Sequence, residues 1–244
     1  MKYLIGANFK MFKNQSELKE YFDQFVHKYS CFTNVDVMIA PMTVCLWTAA
    51  DMVKDSCLHL GAQNMHYEDA WAYTGEVSPL TLKELGVEYA IIWHSERRTY
   101  FGEDNATINK KLKSALHHGI RPILCIGENL QQKELGVSKE ILKIQILEAI
   151  QGIENINHID IAYEPIRAIG TGQTASPEYV QDIHSFIREL IGNQESRIIY
   201  GGSVNAENAQ SILNQPAVNG FLIGSASLDH TKFLKILDIV SEQK

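Results

Sequence analysis

The chain predicts a closed (β/α)8 barrel of the α/β class, a single domain spanning residues 1–244, and three observations carry that prediction. Short apolar, β-branched runs bounded by Gly, Pro or Asn alternate with longer stretches of helical period. The runs are apolar at nearly every residue, as from Ile120 to Ile126, which suits a parallel sheet covered on both faces; a half-exposed antiparallel strand would alternate. Eight strand–helix pairs fit into 244 residues, the length at which such units close into a barrel. A doubly wound open sheet shares the alternation and is the structural rival.

In chain order, strands are expected near 3–9, 35–40, 58–62, 89–93, 120–126, 158–163, 197–201 and 219–223, with helices between and after them. The first helix is expected to take Ser16 as its cap and to place Leu18, Phe22, Phe25, Val26 and Tyr29 on one face. The last follows Asp229 and carries Phe233, Leu234, Ile236, Leu237 and Val240. The long irregular stretch from Asn64 to Ser78, after the third strand, has the length of a functional loop.

Composition narrows the function. A hydrophobic content of 45% supports one large core, and a net charge of −7 sets the long-range field against nucleic acid and anionic lipid, so an anionic ligand has to be held by local groups. Cys31, Cys45, Cys57 and Cys125 show no C-x-x-C spacing, which points to a reducing, cytoplasmic setting without a zinc or redox motif. With no basic segment and cleavage site before the first strand and no apolar run of membrane-spanning length, neither export nor membrane insertion is expected.

In a βα barrel the reacting groups stand at the C-terminal ends of strands. Strand one ends in Asn8-Phe9-Lys10, strand four in His94-Ser95-Glu96-Arg97-Arg98 and strand six in Tyr163-Glu164-Pro165. A lysine there is most often a solvated charge and a histidine is as often structural as catalytic. Glu164 closes the apolar run from Ile159 to Tyr163, where desolvating a carboxylate is expensive without a purpose. Arg97 and Arg98 read as ion-paired structure. Ile169-Gly170-Thr171-Gly172, Tyr200-Gly201-Gly202-Ser203-Val204 and Gly224-Ser225-Ala226-Ser227 let backbone N–H groups approach a ligand, and the last two follow strands seven and eight, where barrel enzymes often hold phosphate. A carboxylate, a histidine, an amine and a phosphate cradle, without metal ligands or a dinucleotide fingerprint, suit proton abstraction beside a carbonyl with no metal and no cofactor. Glu164 is the expected base, neutral His94 the electrophile, and Lys10 and Asn8 the donors to developing charge.

With these residues the chain closely resembles the triosephosphate isomerase family, whose fold is the TIM barrel. Further segments carry the resemblance: Gly61-Ala62-Gln63-Asn64, Tyr73-Thr74-Gly75-Glu76, Cys125-Ile126-Gly127-Glu128 and Gly220-Phe221-Leu222-Ile223-Gly224. It implies interconversion of dihydroxyacetone phosphate and glyceraldehyde 3-phosphate in glycolysis and gluconeogenesis, without cofactor. It places catalytic roles on Asn8, Lys10, His94, Glu96 and Glu164, and substrate contacts on Asn8, Lys10, Gly170, Ser203, Gly224 and Ser225. It also implies a homodimer in which the 64–78 loop, with Thr74 at its tip, enters a pocket beside Lys10 and His94 of the partner subunit.

The chain departs from the family's pattern at Trp93 (glycine in the family), Arg167 (tryptophan), Gln173 (lysine) and Ser225 (glycine). Trp93 is expected to disturb His94 by its bulk or its backbone conformation and to slow turnover, and Arg167 to pair with Glu128 and alter lid timing. The alternative reading is a phosphate-binding, isomerase-like protein with reduced activity. An aldolase of the Schiff-base type would need a lysine on strand six, where Glu164 stands.

Overall fold

The structure is a computed structural model, which describes residues 1–165 and 175–243. Eight strands form a closed, wholly parallel barrel in sequential order: β1 (Tyr3–Asn8), β2 (Val35–Ala40), β3 (Leu58–Ala62), β4 (Tyr89–Ile92), β5 (Arg121–Ile126), β6 (Asp160–Tyr163), β7 (Ile198–Tyr200) and β8 (Gly220–Ile223). Closure is made by β1 against β8, with Leu4 opposite Gly220 and Ala7 opposite Ile223. The open-sheet rival is thereby excluded. The helices are α1 (Gln15–Val26), α2 (Leu46–Val53), α3 (Pro79–Glu84), α4 (Ser95–Phe101), α5 (Asn105–His117), α6 (Leu130–Glu134), α7 (Ser138–Ala149), α8 (Pro177–Ile191), α9 (Ala209–Leu213) and α10 (His230–Ser241).

Why each strand is apolar on both faces is plain from where its residues go. Leu4, Met38, Tyr89, Ile91, Ile123, Cys125, Ala162, Ile199 and Leu222 point into the barrel and form its filling. Their neighbours Ile5, Val37, Ile92, Leu124, Ile161 and Ile198 point outward and join the larger core beneath the helices. Met38 fills the interior only because Gly61 faces it: a Cβ there would lie 2.2 Å from the Met38 sulfur.

Local differences from the sequence reading have clear causes. α1 is capped by Asn14, whose side chain accepts from Ser16 and Glu17 N–H while Glu17 reaches back in a capping box; Ser16 lies inside the helix and is not its cap. Tyr21 joins Leu18, Phe22 and Phe25 on the buried face. β4 stops at Ile92 because Trp93 adopts φ 66°, a left-handed conformation that breaks the strand.

The N-terminal end of the barrel is closed by charge. Asp160, fully buried at the start of β6, accepts from Arg121 at 2.7 Å and from Arg197 at 2.6 Å, and Arg197 also reaches Asp36 at 2.8 Å. Asp36 in turn meets His59, which sits 2.9 Å from Glu88 on its other side. These two carboxylates push the His59 pKa up to about 9. At the same end Cys31 and Cys57 form a disulfide, their Cα atoms 5.9 Å apart. The lack of C-x-x-C spacing, which points to a reducing setting, gives no sign of this pair: the connections feeding the adjacent strands β2 and β3 bring together residues whose spacing in sequence carries no signal. Cys45 and Cys125 are free and buried. Among the described residues no helix is long and apolar enough to cross a membrane.

Candidate active site

At the opposite end, the strand termini surround a cleft of about 620 Å³ lined by Asn8, Lys10, His94 and Glu164 together with Gly201 to Asn205, Gly224, Ser225 and Lys232. Asn8 is the last residue of β1, and its Oδ1 accepts the Lys10 N–H at 3.0 Å. That bond holds a tight turn in which Lys10 takes φ 49°, unfavourable for a side chain. Gln63, just past β3, braces the turn from outside: its Nε2 donates to the carbonyl of Lys10 at 2.8 Å and to that of Ala40 at 2.9 Å. The lysine stem then crosses Gly224, where a Cβ would come within 3.3 Å of Lys10 Cε, and Nζ ends 2.7 Å from Glu96 Oε1. Gln63 belongs to the Gly61-Ala62-Gln63-Asn64 segment without an assigned role there; an amide directly beyond a strand's C-terminal end is the signal that finds it.

His94 is the N-cap of α4, and its Nδ1 accepts the Glu96 N–H at 3.3 Å. With Nδ1 an acceptor, the ring proton is assigned to Nε2, which stands 3.1 Å from Glu164 Oε1. The other carboxylate oxygen of Glu164 accepts the Ser95 N–H at 2.9 Å. Glu164 is only 1% exposed, and its backbone N–H donates to Ile126 at 2.7 Å. Two glycines make room for it: a Cβ on Gly127 would fall 1.8 Å from the Glu164 carbonyl oxygen, and one on Gly201 would fall 2.8 Å from its Cγ. Cys125, buried in the barrel beside this carboxylate, has its thiol pKa driven well upward, first by desolvation and then by the Glu164 charge.

Trp93 does adopt an unusual backbone, yet it leaves His94 facing Glu164. Its indole turns away from the cleft, is 3% exposed, donates from Nε1 to the Glu103 carbonyl at 3.2 Å and lies under the Arg98 guanidinium at 4.8 Å. The adjacent arginines therefore separate. Arg97 forms the expected ion pair, 2.7 Å from Glu103, whereas the expectation for Arg98 is corrected: it packs on Trp93 and donates to the Gly127 carbonyl at 3.4 Å, and among the described residues its buried Nε and Nη2 have no hydrogen-bond partner.

Ser203, Gly224 and Ser225 line the same cleft as Lys10, with Gly224 directly against the lysine stem. Gly170, Arg167 and Gln173 lie outside the described residues, and so does the Arg167–Glu128 pairing; Glu128 itself is buried and accepts from Tyr163 at 2.9 Å and Tyr179 at 3.2 Å. The loop from 64 to 78 is pinned at its base by Lys111 on Asn64 at 2.8 Å and by the His66–Val77 backbone bond at 2.8 Å, and it presents Thr74 to the outside.

A closed βα barrel with a buried carboxylate opposed to a proton-bearing imidazole, an amine beside them and two glycine-rich turns facing them defines the class: a barrel isomerase that moves protons on a small anion. Comparison with known proteins gives the family. The family description triosephosphate isomerase matches residues 3–240. The chain is 43% identical over 244 residues to the triosephosphate isomerase of Aquifex aeolicus, covering 97% of this chain and 99% of the relative. It is 41% identical over 245 residues to that of Carboxydothermus hydrogenoformans (97% and 98%), and 44% identical over 250 residues to that of Finegoldia magna (97% and 98%). The chain belongs to the triosephosphate isomerase family.

Proposed function

We propose that this chain, as one domain, interconverts dihydroxyacetone phosphate and D-glyceraldehyde 3-phosphate through an enediolate. Glu164 takes the proton from the carbon next to the carbonyl and returns it to the neighbouring carbon. The Nε2–H of neutral His94 donates to the oxygens on those two carbons, the tautomer that fits an Nδ1 accepting the Glu96 N–H. Lys10 and Asn8 meet the charge that develops on the enediolate, with Glu96 holding the lysine in place. The phosphate rests on the backbone of Ser203, Gly224 and Ser225, with Gly170 as a further donor from the segment after β6. No cofactor enters these steps.

The observation that carries this reading is the approach of His94 Nε2 to Glu164 Oε1 at 3.1 Å while Nδ1 is occupied by a backbone N–H. A substrate carbonyl oxygen entering the cleft takes the place of Oε1 on that donor and frees the carboxylate for carbon. A binding protein that merely retained phosphate would have no use for such a buried pair. The test is a coupled assay with glyceraldehyde 3-phosphate on wild type and Glu164→Asp: withdrawing the carboxylate by about one methylene is expected to lower kcat by roughly 10²-fold, and equal rates would remove Glu164 from the mechanism.

The active form we propose is a homodimer joined through the 64–78 loop, with Thr74 at the tip. Large apolar side chains stand exposed on the loops and helices that follow β1 to β4: Met11 at 86%, Trp47, Trp71 at 89%, and Phe101. A surface of that kind is covered in a stable assembly. Analytical ultracentrifugation checks it, a monomer at micromolar concentration being the contrary result. The setting we propose is the cytoplasm, the compartment of the pathway that this reaction serves.

A further inference from the structure

The reacting side of the cleft is poor in free positive charge. Lys10 is matched by Glu96 at 2.7 Å, His94 is flanked by the carboxylates of Glu96 at 3.5 Å and Glu164 at 3.1 Å, and Glu164 adds a negative charge. The whole chain carries −7. A doubly charged phosphate approaching this mouth therefore meets a field that opposes entry, and the backbone donors of the two glycine-rich turns act only at contact range. Lys232 stands apart from this pattern. It lies in the first turn of α10, lines the same cleft on the side of Ser203 and Ser225, and among the described residues its ammonium has no ion-pair partner. Its backbone is held in place, because the capping carboxylate of Asp229 accepts the Thr231 N–H at 2.9 Å and the Lys232 N–H at 3.2 Å. Asp229 is also the acidic neighbour that Lys232 has to outweigh, but that carboxylate is spent on the helix cap and is not among the cleft-lining residues.

The geometry points to Lys232 as the residue that captures the substrate's phosphate group: an unpaired cation at the rim on the phosphate side, which draws the dianion into the cleft and holds its outer oxygens once the backbone of Ser203 and Ser225 has bound the inner ones. This rests on the phosphate reading proposed above. The contact assigned to Lys232 is made equally in the bound substrate and in the transition state, so its loss falls on KM and on the rate of encounter.

The experiment measures kcat, KM and the inhibition constant of inorganic phosphate for wild type, Lys232→Ala, Lys232→Glu and Lys232→Arg over a series of salt concentrations. Removing one rim cation is expected to lower kcat/KM at low salt by about tenfold in Lys232→Ala and further in Lys232→Glu, with the change carried by KM. The phosphate inhibition constant should rise by a similar factor, the dependence of log kcat/KM on salt should flatten, and Lys232→Arg should restore wild-type values. A merely structural role for Lys232 would not move the salt slope or be rescued by arginine at low salt alone. Unchanged kcat/KM, phosphate inhibition and salt slope in both Lys232→Ala and Lys232→Glu would overturn the assignment, as would a loss confined to kcat. If the wild type itself neither isomerises glyceraldehyde 3-phosphate nor is inhibited by phosphate, the functional reading falls and this assignment falls with it, a result distinct from a phosphate-sensitive wild type with indifferent variants.

Discussion

Replacing Trp93 by glycine separates two effects that the sequence alone runs together, the backbone conformation next to His94 and the packing of the side chain. The left-handed φ of 66° costs a non-glycine residue about 1–2 kcal/mol, which glycine would recover. Against that stands the loss of an almost fully buried indole, which for a large aromatic cut back in a core costs about 3–5 kcal/mol. The buried Arg98 also loses the ring on which its guanidinium rests at 4.8 Å, and the Glu103 carbonyl loses its donor at 3.2 Å. The balance is a destabilisation of about 2–4 kcal/mol, a drop in Tm on the order of 10 °C for a chain of this size. Because the indole faces away from the cleft, kcat per folded molecule should stay within about threefold of wild type. Urea unfolding and the coupled assay on Trp93→Gly read both quantities. A more stable variant, or one whose kcat rises tenfold or more, would refute this reasoning, because either would mean that the indole strains the turn more than it supports it and that the slowing expected from bulk beside His94 is real.

Other consequences follow from single contacts. Gly127→Ala puts a Cβ where the Glu164 carbonyl oxygen now stands, so the base has to move; kcat should fall by roughly 10²-fold with KM little changed, and an unaltered kcat would show that this contact does not position Glu164. His59 has its pKa raised from 6.5 to about 9 by the carboxylates of Asp36 and Glu88 on either side of its ring, so its contribution to stability is fully present below pH 6.5 and is lost as pH rises through 9. Allowing for its partial exposure, that is about 1–2 kcal/mol, to be read as the difference in urea stability between pH 6.5 and 9.5 that His59→Asn abolishes. The Cys31–Cys57 bridge closes a separation of 26 residues, for which loop-closure entropy gives about 3.5 kcal/mol; Cys57→Ser should lose that much under oxidising conditions and nothing in dithiothreitol.

What was readable in advance follows from what each feature depends on. Strand identity depends on local apolarity, and the barrel interior and the helix-facing core share each strand by simple alternation, so the eight runs could be placed from residue type alone. Glu164, His94 and Lys10 were visible for a related reason: each is a polar residue where an apolar strand ends, and in a parallel barrel all such ends open on one cleft. Contacts across the chain left no comparable mark. Gln63 bracing the Lys10 turn, Ser95 N–H on Glu164, and Cys31 beside Cys57 depend on which loops become neighbours when the barrel closes. Asn14 took the cap expected of Ser16 because two residues, separated by Gln15, could each serve and only the start of the apolar face decides between them. Arg98 and Trp93 show a coupled choice: neither residue alone predicts that one will shelter the other beneath the β4–α4 turn.

The central claim is that Glu164, shielded from water at 1% exposure, carries a proton between adjacent carbons. Isomerisation of glyceraldehyde 3-phosphate run in deuterium oxide and followed by proton NMR tests it most directly. The account predicts that a fraction of the dihydroxyacetone phosphate formed carries deuterium at carbon 1, because the protonated carboxylate exchanges with solvent before it returns its proton, and that Glu164→Gln forms almost no product. Product free of deuterium throughout, formed as fast by Glu164→Gln as by wild type, would mean that hydrogen moves as hydride between the carbons and that Glu164 is not the base.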